Sequence, residues 1–201
     1  MTAKLSFITA IALAIIVTAT STAAAMGVEY QRTAARSDLP AQSSSSLIAS
    51  ATACPNQANP AASAEAQLQS MRCMTDFART RSGLVGLDDS PQLDLSAEEK
   101  AADVLRCDSF SHTACDRDFT YWIQQSGYLS ESCWHVGENL AWGTSTYGSV
   151  RSIFQAWMRS PAHRHNILGE YSDLGLSLQA GELGGLDGVD VWAAHFGSHC
   201  E

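Results

Sequence analysis

Six cysteines, all downstream of an apolar amino terminus, constrain this 201-residue chain more than any other feature. They are Cys54, Cys73, Cys107, Cys115, Cys133 and Cys200. Residues 1–25 carry Lys4, then a nearly unbroken apolar run from Leu5 to Val17, then small residues from Ser21 to Ala25. That is the layout of a secretory signal peptide. Left uncleaved, the same stretch is long enough to anchor the chain outside the membrane. In either case the rest of the chain leaves the cytoplasm and enters a compartment where disulfides persist. An even count with no C-x-x-C motif points to three disulfides rather than a zinc ribbon or a redox motif. Six cysteines leave 15 pairings open. Neighbour pairing (54–73, 107–115 and 133–200) is the simplest expectation.

Hydrophobic residues make up 45% of the chain and charged residues 16%, so a wholly disordered chain is excluded. Acidic residues number 21 against 12 basic ones, for a net charge of −9. With no basic patch or basic run, nucleic acid and anionic membrane are poor partners. No segment after residue 25 is apolar enough to insert in a bilayer. More than half of Thr33–Ala66 is Ala or Ser, including a four-serine run at 43–46. Residues 26–60 therefore read as an Ala/Ser-rich linker, its last part stapled to the domain through Cys54. Residues 61–201 suit one compact domain.

The periodicity predicts helices followed by strands. Leu68, Met71, Thr75 and Ala78 form a stripe over 62–82, with Gly83 as the stop. Ser96-Ala-Glu-Glu99 reads as a capping box opening a helix that runs to about Cys107. Residues 118–126 form a third helix, closed by Gly127. Val150, Ile153, Phe154, Trp157 and Met158 give a strong 3.6-residue period over 148–159. Ser160-Pro161 then restarts the chain as N-cap and first helical residue of a short helix, 161–168. Leu174, Leu176 and Leu178 alternate as in a half-buried strand. A Gly-rich loop at 181–188 leads to a second strand, 189–196, making a hairpin with a long connection.

All six histidines (112, 135, 163, 165, 195 and 199) lie in the carboxy-terminal half. Three segments there concentrate polar chemistry: Phe110-Ser-His112-Thr, Val136-Gly-Glu138-Asn139-Leu-Ala-Trp142, and Trp157-Met-Arg-Ser160-Pro-Ala-His163-Arg-His-Asn166-Ile-Leu168. Their order and spacing resemble the CAP superfamily of cysteine-rich secretory, antigen 5 and pathogenesis-related 1 proteins. The likeness is to its bacterial branch, with the compact Ser-Pro-x-His-Arg-x-Asn-Ile-Leu segment. It covers about residues 64–197, ending in His195-Phe-Gly197.

That resemblance implies an α+β fold, a three-layer α-β-α sandwich with a central antiparallel sheet. It also implies a cleft built on two histidines and two acids. His112 matches the first family histidine, Glu138 the acid of the Gly-Glu-Asn motif, and His163 the second histidine. The second acid, expected three residues after the tryptophan, falls on Ser160. Asn139 and Asn166 complete the cleft, Asn166 at a position the wider family often fills with glutamine. For different members the family implies lipid or sterol binding, zinc binding, or proteolysis.

Two imidazoles and one carboxylate suffice for a zinc ion with an open water position. His112, His163 and Glu138 are thus the candidate metal ligands. His163 would be the third residue of a Pro-started helix, where the positive end disfavours imidazolium. Glu138 would bind the ion, orient its water or act as base. Alternatively, both histidines simply hydrogen-bond Glu138 and staple loops over the sheet. Ser160 reads first as an N-cap, Asn139 as a tie within its own loop, His195 as a satisfied core histidine, and Arg164 and His165 as solvent-facing. No H-E-x-x-H motif and no G-x-S-x-G elbow is present. The expectation is an extracellular binding module for a small apolar ligand (a lipid) or a protein partner. The alternatives are a zinc-dependent hydrolase with Glu138 as catalytic base, and a membrane-tethered envelope interaction protein.

Overall fold

The structure, a computed structural model, describes residues 26–32, 44–130 and 133–200; residues 1–25, expected to be a signal peptide, lie outside the described residues. The described residues hold five strands and five α-helices, numbered in chain order. The strands are β1 (Met26–Arg32), β2 (Asp88–Asp89), β3 (Trp134–Thr144), β4 (Asp173–Leu183) and β5 (Leu186–His199). They form one sheet in the order β1-β3-β5-β4-β2. All pairings are antiparallel except that of the two-residue β2, which runs parallel to β4.

The helices are α1 (Ala64–Arg81), α2 (Pro91–Arg106), α3 (Thr120–Gln125), α4 (Val150–Arg159) and α5 (Pro161–Ile167). Alternation along β3 and β5 divides the core in two. Ala141, Trp192, Ala194 and Phe196 join buried side chains of α1 and α4 in the larger cluster. Leu140, Val191 and Ala193 pack on α2, and Val136 packs with Ile123 of α3. The three-layer α-β-α sandwich therefore follows from two apolar sheet faces, each needing a helical cover. The three disulfides are the neighbour pairs: Cys54–Cys73, Cys107–Cys115 and Cys133–Cys200. Among the described residues no helix is long and apolar enough to cross a membrane.

Several boundaries differ from the sequence reading. The segment expected to be a linker, 26–60, contributes structure at both ends. Residues 26–32 pair with β3, from Met26 opposite Gly143 to Arg32 opposite Gly137. Farther on, Leu47, Ala49 and Cys54 are wholly buried in the larger core. Ala and Ser dilute the signal, but Val28, Tyr30, Leu47 and Ile48 are the strand-forming and core-forming residues within it.

Helix α2 begins at Pro91, five residues before the expected capping box. Ser90 is its N-cap and accepts from the Leu93 N–H, and a Ser-Pro pair also stands at the start of α5. Ser96 is then mid-helix and buried. The expected long hairpin connection is a two-residue turn. Leu183 pairs with Leu186 across Gly184 and Gly185, both at positive φ (61° and 74°). What read as a Gly-rich loop is mostly strand.

Candidate functional site

Glu138 and Asn139 are adjacent on β3, so their side chains leave opposite faces of the sheet. Both are wholly buried. Each organises a separate polar cluster.

On the α2 face the Glu138 carboxylate is held from two sides. Oε1 lies 2.5 Å from His112 Nδ1 and Oε2 lies 2.8 Å from His195 Nε2. His195 stands directly opposite Glu138 on β5. Its Nδ1 lies 2.6 Å from Ser96 Oγ of α2, and Ser96 in turn reaches the Leu93 carbonyl. His112 sits in the loop after α2, which the Cys107–Cys115 bridge closes. Lys100, one turn after Ser96, is also buried. Its ammonium donates to the His112 carbonyl at 2.5 Å and lies 3.9 Å from Glu138 Oε1. Burial alone would push the Glu138 carboxyl up. Hydrogen bonds from His112 and His195, with the electrostatic pull of His195 and Lys100, together outweigh it and bring the carboxyl down to about 2. The carboxylate is therefore ionised at neutral pH.

On the opposite face the cluster is built of amides. Asn166 of α5 donates through Nδ2 to the Glu138 carbonyl at 3.1 Å and to Asn139 Oδ1 at 2.9 Å. Asn139 donates to the His163 carbonyl at 3.1 Å, so it ties α5 to the sheet rather than bracing its own loop. Gly137 must be glycine here because a Cβ would stand 2.9 Å from Asn166 Oδ1 and 2.7 Å from the Tyr171 hydroxyl. The Gly-Glu-Asn tripeptide thus gives clearance to one amide, a charge to one face and a clasp to the other.

His163 is buried, with its Nδ1 2.7 Å from Ser160 Oγ. Ser160 holds the N-cap position of α5, yet its side chain does not bond the helix backbone. His165, expected to face solvent, is also buried, because α5 is short and packs against α4, β3 and β1.

The residues expected to form one zinc-binding set are therefore divided. His112 meets Glu138 in the loop-stapling arrangement, whereas His163 is held by Ser160. Among the described residues no group of three or more His, Cys, Asp or Glu side chains is placed to hold a metal ion. Glu138 is wholly buried between His112 and His195, and His163 is not gathered with them into a three-ligand group, so as placed the set does not present a zinc site. Of the other members of this cluster, Lys100 carries no role in the sequence reading, Ser96 only that of an N-cap, and His195 only that of a core histidine. Leu93, Ser96, Lys100 and Val104 recur on one helical stripe, which is the signal that places Lys100 inside.

The chain has a counterpart fold in bacterial surface and secreted proteins. An outer surface protein from Borrelia burgdorferi superposes with a TM-score of 0.56 at 18% identity, over 69% of this chain and 97% of that one. A cysteine-rich secretory protein from Staphylococcus aureus gives 0.51 at 19%, over 68% of this chain but only 40% of that one. No curated protein matches the chain. Three disulfides and extracellular-type relatives fit an exported protein. The profile of the cysteine-rich secretory protein family matches residues 73–192, from the first core helix to the last strand, and the chain belongs to that family, CAP.

Proposed function

We propose that the chain acts outside the cell as a ligand-binding module, for a small apolar ligand or a protein partner, with the His/Glu cluster as its scaffold. The supporting observation is the Glu138 carboxylate, wholly buried with both oxygens engaged by His112 and His195. A general base needs a lone pair directed at substrate or water, and a zinc ligand needs one directed at the ion. Ser160 at the place of the second family acid removes a further carboxylate from the cleft. Removal of the signal peptide on export would release the domain into solution.

The test is a calorimetric zinc titration of the oxidised, metal-stripped exported chain at neutral pH, with His163→Ala as control. The proposal expects no stoichiometric binding in the micromolar range. One-to-one binding of that strength, lost in His163→Ala, would overturn it. Such a result would make the chain a zinc-dependent hydrolase candidate with Glu138 as base.

A further inference from the structure

Strand β4 has one covered edge and one open one. Strand β5 pairs along its whole length on one side. On the other, β2 covers only Asp173 and Leu174. Among the described residues no strand pairs with that edge from Leu176 to Leu183.

The polar groups on this edge can be followed residue by residue. The Leu174 carbonyl accepts from the Ser90 N–H and from Arg72. The Leu176 N–H donates to Asp94 Oδ1 at 2.8 Å. In an extended strand the backbone groups of alternate residues point the same way, so the Leu176 carbonyl and the Leu178 N–H and carbonyl also face outward. Along them runs a groove of about 500 Å³ with Leu176–Gln179 as its floor. Helix α1 forms one wall, with Glu65 and Arg72, and α2 the other, with Asp94 and Glu98. Arg72, paired with Asp89 and Asp94, crosses the edge at Leu174 and closes that end.

The groove is acidic. Glu65, Asp89, Asp94 and Glu98 set four carboxylates against the single guanidinium of Arg72. A second copy of this chain, net charge −9, would bring acid against acid. A basic strand would not. We infer that the β4 edge takes up an extended, Lys- or Arg-bearing segment of a protein partner as an added strand. The floor matches about four residues at roughly 3.3 Å each. Main-chain bonds to Leu176 and Leu178 give affinity, and side chains alternating toward Glu65 and Glu98 give selectivity. The site shares no residue with the Glu138 cluster, so it stands whether or not that cluster is a scaffold.

Charged residues beside an open edge also serve to keep strands away, and the experiment separates the two roles. The ¹⁵N-labelled exported chain is titrated with an acetylated, amidated octapeptide of alternating lysine and valine. The expected result is shift change centred on residues 176–179, slowed amide exchange at Leu178, and affinity that falls by about tenfold at high salt. Glu98→Lys, a change at an exposed position, should weaken binding several-fold with an otherwise unchanged amide spectrum. Glu138→Gln should not weaken it in any form that remains folded. A peptide N-methylated at alternate residues keeps the charge, but its methyl groups remove the donors to the Leu176 and Leu178 carbonyls and block the close approach a peptide carbonyl needs to accept from the Leu178 N–H, so the Leu178 protection should be lost. Equal binding by the N-methylated peptide, shifts scattered over other acidic surface, or no change at 176–179 would each overturn the inference.

Discussion

The two faces of β3 solve the same problem with different chemistry. Both bury polar groups at neighbouring residues in the middle of the sheet. On the α2 face the group is a carboxylate, and four partners from two elements and a loop converge on it: His112, His195, Lys100 and, through His195, Ser96. On the α5 face the groups are neutral amides, and two asparagines suffice to join strand and helix. A buried charge requires compensation from several directions, whereas a buried amide needs only matched donors and acceptors. The charged face is correspondingly sensitive to any one partner and to acid. The amide face is sensitive to geometry alone.

Mutation of the two faces puts that contrast to the test. The largest effect is expected for Glu138→Ala, which leaves Lys100 and two imidazoles without their shared carboxylate. Chemical denaturation should show a loss of about 3–5 kcal/mol, typical of a broken buried charge pair. A loss below about 1 kcal/mol would mean the cluster is not what holds the His112 loop. Asn166→Ala should cost less, about 1–3 kcal/mol, because it orphans neutral acceptors and the Asn139 amide. If the two losses are equal, charge adds nothing to the α2 face.

The smallest effect at neutral pH, and the sharpest distinction, lies in acid. The Glu138 carboxyl titrates at about 2 in the folded protein against an ordinary 4.5. The unfolded chain therefore binds more protons between those values, and stability falls as pH drops through that window. The Glu138 contribution is complete above about pH 4.5 and is lost as pH approaches 2. Glu138→Gln should flatten this part of the acid limb, while Asn166→Ala should keep its slope. Stability curves of the three proteins from pH 5 to pH 2 would decide it.

How much of this was readable beforehand depended on whether local pattern and burial agreed. Helix α4 was plain because its apolar residues recur at helical spacing and its partner face is polar. Helix α5 was plain from Ser160-Pro161, and the same dipeptide at Ser90-Pro91 would have given the start of α2. The disulfides follow neighbour order, two across short separations of 19 and 8 residues and the third across 67. Strand β3 was hard because Gly137, Glu138 and Asn139 are unlike strand residues, and their burial is set by partners far along the chain. Of the site, His112 and Glu138 are legible from the motifs, and a hydrogen bond between them is one of the two arrangements those residues allow. His195 was legible only as a core histidine, since its role comes from β5 lying across from Glu138. Lys100 was hidden by its own charge, because a lysine on a helix reads as solvent-facing until the carboxylate behind it is known. His163 belongs to α5, which Asn139 clasps on the face of β3 opposite the Glu138 carboxylate, and its Nδ1 meets Ser160 within one turn of the helix.

The Cys133–Cys200 bridge has a mechanical consequence. It joins the start of β3 to the end of β5 and closes α4, α5, β4 and β5 into one covalent loop. A pull applied at the two ends of the chain would pass from residue 200 straight to residue 133 and leave that loop slack. The other two bridges short-circuit 55–72 and 108–114 in the same way. Beyond residue 54, tension would then extend only 73–107 and 115–133. The helix carrying Lys100 would bear load, while β5 and its His195 would be spared.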